Sequence, residues 1–499
     1  MCTFAKVYNK TTIIMARAIR KNKKTFITII LAFATLTATA QSLTKQQMLE
    51  DYDQLYTTLT TKVPHFAVRK RVTGIDIPKE LRRIRHDIDT VTCDGGFYDV
   101  IFRALAACND KHISPNQTRD SVAMAHTMEA WRKYFRYGNF NSKGVFYIDG
   151  KYLTIGFKDK DTEVIPFFAE LTHVNGIPVD KYVAKYNSRV NSANRWDFKH
   201  KKAWASSLFD PRIIYKTDEF KWTVVIDGKP QTFDMSGLTY NLPRVKSDDG
   251  AYKVNYFDSD STLYIRIPEM NIRQAGWLED HIASNKGKAI NRVIIDVRGN
   301  GGGNDMTWRR VLSAIIDRPL NWSIRQAVKD LNVLGGDYTE SREIKVYGDR
   351  LTAFLDEDSK TILQPSDRTI GYGGTIYVMF DHNIFSSTYA FLSACLSCDR
   401  LVSVGRPTGF LGGLGGTPWS DILRHSRFSY RYPITLEITN ADNGNPETYY
   451  KDQVEIEIWP TVEQLRAQTF YDGGQHNEDY LYNYDWVFRR ILEESKKVK

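Results

Sequence analysis

The chain has 499 residues, 42% of them hydrophobic and 13% aromatic, enough for two or three domains with substantial cores and unlike a disordered composition. Its formal charge of +9 rests on the first forty residues, which hold seven Lys and Arg and no acid. Beyond them the charge falls to +2, so the basic balance gives no reason to expect a nucleic-acid partner.

Those forty residues differ from the rest. Basic side chains crowd between Arg17 and Lys24, an apolar run spans Thr25 to Leu36, and Ala38-Thr39-Ala40 precedes Gln41. This reads as a secretory signal peptide (1–40) cleaved after Ala40, which predicts a periplasmic or secreted mature protein. No Cys follows the cleavage site to accept a lipid, and no later apolar run is long enough to span a bilayer. Export leaves open a bridge between Cys93 and Cys108. Cys395 and Cys398 fall inside an apolar helical pattern and read as core thiols rather than a redox or metal motif.

From 41 to 140 the pattern is helical. Met48, Tyr52, Leu55 and Leu59 share one face, as do Phe97, Val100, Ile101 and Leu105, with a basic, mixed connection between Pro64 and Pro78. The second helix ends before Asn109-Asp110-Lys111-His112, which places His112 in a turn. From 141 to 245 short strands alternate with turns. Hairpins are expected at Asp149-Gly150 and Asp227-Gly228, and an Asn175-Gly176 turn leads into a helix. From 250 to 480 strands and helices alternate, with strands at Leu263–Ile267, Arg292–Val297, Thr375–Phe380 and Leu401–Val404. The continuous apolar character of Arg292–Val297 predicts a sheet buried on both faces. An amphipathic helix closes the chain (481–499).

Two stretches carry candidate chemistry. Asp296-Val297-Arg298-Gly299-Asn300-Gly301-Gly302-Gly303 ends a buried strand and opens a helix, and its glycines let backbone N–H groups approach a ligand. The spacing fails the dinucleotide fingerprint, because Asn304, Asp305 and Met306 stand where the last glycine is needed. The second stretch runs from Gly374 to Gly416. There a strand, a Ser386-Ser387 turn and an apolar helix follow one another, a geometry that can hold a nucleophile with helix N–H groups beside it. Ser is also an ordinary helix N-cap, so a nucleophile needs partners elsewhere in the chain. A base could come from His112, His382 or His425, and spacing alone does not choose among them.

The run Val293–Gly303 resembles the "DLRxNxGG" segment of the tail-specific, or C-terminal processing, serine peptidases, the family that also holds the tricorn core protease. Asn383–Thr388 resembles their nucleophile segment, Val404–Gly409 their "GEPTxG", and Asn109–His112 the "DGHT" of the tricorn-like branch. The resemblance implies an α/β, crotonase-like catalytic domain with a PDZ-like β module around Val174–Val179 and a helical N-terminal domain. It implies Ser386 as nucleophile, His112 as base, and oxyanion N–H groups from Ser387 and from Gly301 or Gly302. The lysine base of the processing branch would fall at Leu411, which favours the histidine branch. Glu447 approximately matches the late Glu that orients the histidine. Lys111 replaces the hydroxyl residue before the histidine, and Tyr389 replaces a small or acidic residue. The expected activity is endopeptidase action on peptide or protein substrates without a metal or organic cofactor. A ligand-binding protein on the same scaffold and an acyl-ester hydrolase are the rival readings.

Overall fold

The apolar runs near Leu263, Val293 and Ile376 are the middle of a sheet covered on both faces. The computed structural model describes residues 42–134, 142–185, 195–211, 217–241, 250–335, 338, 340–355, 362–409, 418–439 and 454–497. From Lys45 onward the chain is one compact unit.

Four of the N-terminal helices are α1 (Lys45–Lys62), α2 (Phe66–Thr73), α3 (Ile77–Arg85) and α4 (Asp94–Ala107). Helices α2 and α3 correct the expectation of an irregular connection between Pro64 and Pro78. Gly74 ends α2 in the left-handed conformation, its N–H donating to the Lys70 carbonyl. The Asp76 side chain then accepts from the Lys79 N–H to start α3, with Pro78 in its first turn. Only Ile77, Leu81 and Ile84 of α3 face inward, so charged residues masked the helical stripe.

A β module follows, with β1 (Ser142–Ile148), β2 (Lys151–Asp159), β3 (Thr162–Val174), β4 (Arg195–Asp197), β5 (Lys202–Trp204), β6 (Lys221–Ile226) and β7 (Lys229–Asp234). Strands β7-β6-β3-β2-β1 pair in that order, and the β1–β2 hairpin turns at Asp149-Gly150 with Ile148 opposite Lys151. Strands β4 and β5 form a separate hairpin.

The central sheet has the order β8 (Lys253–Phe257), β9 (Thr262–Arg266), β10 (Arg292–Asp296), β11 (Ile376–Phe380), β12 (Leu401–Gly405), β13 (Ile456–Glu457). Strand β8 is antiparallel to β9 and the other pairings are parallel. Alternate residues serve opposite cores. Leu263, Val293, Ile295 and Val378 pack with Trp308 and Phe391, whereas Tyr264, Ile294, Tyr377 and Met379 pack with Phe488 and Ile491. Burial on both faces explains why these strands show no polar alternation. Helix α5 (Met306–Ser313) follows β10, α6 (Ser387–Cys395) follows β11, and α7 (Trp486–Lys497) closes the described chain.

A four-stranded antiparallel sheet, built from Arg325–Val328, Arg342–Val346, Asp349–Leu355 and Thr435–Glu437, went unread in the sequence. Cys93 is exposed and Cys108 and Cys395 are buried, and these three and Cys398 are free thiols, so Cys93 and Cys108 are not bridged. No helix among the described residues is long and apolar enough to cross a membrane.

Candidate active site

Ser386 lies at the turn from β11 into α6 with φ 54° and ψ −122°, and its side chain makes no capping hydrogen bond. An N-cap serine has extended backbone angles and accepts from the helix it starts, and Ser386 has neither feature. Holding a non-glycine residue at such a φ costs about 1–3 kcal/mol and recurs where a side chain is presented for chemistry. Ser387 begins the helix and is buried, and its hydroxyl has no hydrogen-bond partner.

The glycine-rich turn after β10 packs directly on this elbow. Gly302 has φ 101°, and a Cβ there would come within 2.7 Å of the Ser386 Cβ and 3.0 Å of the Ser387 nitrogen. A Cβ on Gly301 would meet nothing within 4 Å. The clamp between the two loops is Asn300, which is fully buried. Its Oδ1 accepts from the Gly302 N–H (2.8 Å) and the Thr388 hydroxyl (2.7 Å), its Nδ2 donates to the Ile267 carbonyl, and its own carbonyl accepts from the Phe385 N–H. Asp381 adds a second clamp, its Oδ1 accepting from the Gly299 and Asn383 N–H groups. Buried Arg195 reaches from β4 to donate to the His382 carbonyl (2.9 Å) and Asn383 Oδ1 (3.1 Å).

His112, 4% exposed, comes from the turn after α4 and lays its ring on Phe385, centroids 4.3 Å apart, beside Ser386. Its backbone N–H donates to Asp110 Oδ1 at 2.8 Å, and its Nδ1 is 3.9 Å from the same oxygen. The other carboxylate oxygen of Asp110 faces Nε2 of His65 at 3.4 Å, with His65 fully buried just before α2. Burial raises the Asp110 carboxyl against the opposing pull of His112 and Arg69. Burial, then the Arg69, Lys329 and His112 charges, holds His65 well below the usual histidine range and so neutral. The Lys111 ammonium lies over the other site ring, Phe385, at 5.5 Å. Burial and the Arg195 charge bring Lys111 down to about 8.

The structure thus brings Ser386, Ser387 and Gly302 together and sets the His112 ring against Phe385, the residue before Ser386. Glu447 and Leu411 lie outside the described residues. The other histidines weighed as bases have different settings. The His382 ring packs against Trp204 at 5.3 Å, and His425 Nε2 meets Glu50 at 2.6 Å on α1. Tyr389 packs against the central core. Sequence reasoning missed Asn300, although its place between two glycines marked a polar side chain in a buried turn, and His65, whose relation to Asp110 exists only in the fold.

Residues 261–441 match the model of peptidase family S41. Among solved structures, mature CPAF is 14% identical over 91% of this chain and 98% of its own, with a TM-score of 0.56. Mature CPAF complexed with lactacystin gives the same score and identity, covering 91% of this chain and 99% of its own. The photosystem II D1 C-terminal processing protease is 13% identical over 84% of this chain and 95% of its own, with a TM-score of 0.38. No curated protein matches the chain. At these identities the CPAF likeness speaks for the fold alone, a mixed arrangement of helices and sheets. Over residues 261–441, a little over a third of its length, the chain is therefore similar to peptidase family S41, a family of serine peptidases.

Proposed function

We propose that the chain is an exported serine endopeptidase in which Ser386 attacks the peptide carbonyl and His112 is its base. His112 takes the Ser386 hydroxyl proton as Oγ bonds to the carbonyl carbon, then gives that proton to the leaving amine. Water hydrolyses the acyl-enzyme by the same route in reverse order. The oxyanion is received by the Ser387 N–H at the start of α6 and by an N–H of the glycine-rich turn. Gly302 supplies the close approach, but its N–H is engaged by Asn300, which favours Gly301 as the donor. Asp110 is the described carboxylate nearest His112 and supports the imidazolium that forms during the transfer. Glu447 keeps the orienting role that family resemblance suggests.

The observation that carries this reading is the uncapped, positive-φ Ser386 with a glycine backbone pressed against it. The parallel sheet with its strand–turn–helix elbow supports a crotonase-like catalytic domain at 250–480. The Asn175-Gly176 turn and the short helix after it support a PDZ-like module at 141–245. The helical domain (41–140) brings the base, and the basic, apolar and Ala-x-Ala run of the first forty residues supports export.

The test is hydrolysis of an unfolded protein such as casein by the full chain, with Ser386→Ala, Ser387→Ala and His112→Ala beside it. Cleavage lost with Ser386→Ala and His112→Ala, and retained in part with Ser387→Ala, is expected. Activity surviving Ser386→Ala contradicts the assignment. Turnover of small esters without casein cleavage selects the acyl-ester hydrolase instead.

A further inference from the structure

A cavity of about 420 Å³ opens between the β4–β5 hairpin and the loop that follows β12. Its apolar walls are Trp196, Phe198, Trp204, Pro407 and Trp459. Among the described residues Phe198 is 42% exposed and Trp459 36%, so each presents part of a large aromatic ring. The indoles are fixed from behind. Tyr147 stacks on Trp204 at 4.9 Å, and the Arg406 guanidinium lies 4.4 Å from the Trp459 ring and 5.6 Å from that of Trp204.

At the mouth Lys199 bonds to Asp149, His200 Nδ1 meets Asp197 Oδ2 at 2.8 Å, and Glu457 accepts from the Trp459 indole N–H. An occupant therefore meets a mainly aromatic surface with one carboxylate, Glu457, at its edge. The cavity wall also contacts the chain that leads to Ser386. Trp204 touches the His382 ring, and the backbone N–H of Arg406 donates to the carbonyl of Phe380 at the end of β11. From His382 to Ser386 the chain spans at most about 14 Å, so the cavity lies on the order of 10–20 Å from the nucleophile. That is the reach of roughly three to six residues of an extended peptide.

We propose that this cavity is a distal specificity pocket, which takes a bulky apolar side chain, above all an aromatic one, a few residues from the bond presented to Ser386. The proposal rests on the serine peptidase reading for its purpose but not for its detection. Four aromatic walls give large contact area with little entropy to lose, as in pockets that anchor a ligand by one side chain. The pocket confers preference for substrates in locally unfolded segments, where aromatic side chains are exposed.

The experiment measures binding to the full chain carrying Ser386→Ala, by fluorescence anisotropy with a fluorescein-labelled Gly-Ser peptide that has one central Phe. The same peptide with Ala in place of Phe is the reference. The Phe peptide is expected to bind about tenfold tighter or more, and Trp459→Ala or Phe198→Ala to bring that ratio close to one. Because both side chains are partly exposed, neither variant depends on repacking a core. A ratio near one before mutation, or one that survives both variants, overturns the pocket. Preference for Phe with no cleavage by the unmutated chain leaves the pocket standing and sinks the peptidase reading, so the two failures are distinguishable.

Discussion

At Ser386 the positive φ sets the proposed nucleophile apart from an ordinary helix cap, and φ is not visible in a sequence. The pair Ser386-Ser387 was legible as a site because it lies between an apolar strand and an apolar helix. Which serine is presented became clear only from the angle and from Gly302 against the Ser386 Cβ. His112 was legible by motif, but its carboxylate was not. Asp110 lies two positions before it, and its second oxygen meets His65, which stands just before α2. Asp110→Asn keeps the oxygen that accepts the His112 N–H and removes the charge facing the imidazole. We expect peptide turnover to fall about a hundredfold or more with the unfolding midpoint little changed, and near-normal turnover would remove Asp110 from the account. Lys111 gives a pH test. Its folded value of about 8 lies below the ordinary lysine value of 10.5, so between the two the unfolded chain holds more protons. Wild-type stability, measured by urea unfolding and taken relative to Lys111→Met, therefore rises with pH from about 8 to 10.5. A flat difference across that window contradicts the burial of this ammonium.

Between elements, the "Asp-Val-Arg" that opens the glycine-rich turn acts as a strut. Asp296, fully buried at the end of β10, accepts from Arg298 Nε at 3.0 Å and Nη2 at 2.7 Å, and from the Tyr264 hydroxyl at 2.8 Å. Arg298 also donates to Asp485 at 2.6 Å. The other oxygen of Asp485 accepts from the Val487 and Phe488 N–H groups at the start of α7. One guanidinium thus ties the glycine-rich turn to the last described helix. Arg298 and Asp296 were legible as a motif. Asp485 was not, because it is far away in sequence and its partner is chosen by packing. Replacing Arg298 by Met takes the ion pair from buried Asp485 and leaves Asp296 with the longer contact to Arg266 at 3.5 Å, and we expect a loss of about 3–5 kcal/mol in urea unfolding. A loss below about 1 kcal/mol makes this network a solvated surface feature and contradicts its burial. The same limit of local reading explains α2 and α3, where caps at Gly74 and Asp76 outweigh a weak apolar stripe.

Across the whole molecule, the order of segments was readable because each changes its hydrophobic period: helical to Tyr134, short hairpins to Asp234, then buried parallel strands. The sheet formed by Arg325–Val328 with Thr435–Glu437 was not readable, since its strands are short and their pairing spans a long stretch of chain. The first forty residues carry a separate prediction. Expression of the full chain in a bacterium with a general secretory pathway should yield a mature protein whose N-terminal sequencing begins at Gln41, and recovery of an intact leader in the exported fraction contradicts it. The helical region that bears His112 and the elbow that bears Ser386 lie in one compact unit, so the reaction locus depends on the folded whole. The most direct measurement of that claim is fluorophosphonate labelling of the folded full chain, with the adduct located by peptide mass spectrometry and His112→Ala run in parallel. The account predicts one adduct, on Ser386, that is lost in the His112 variant. An adduct on Ser387, or none on a folded protein, contradicts it.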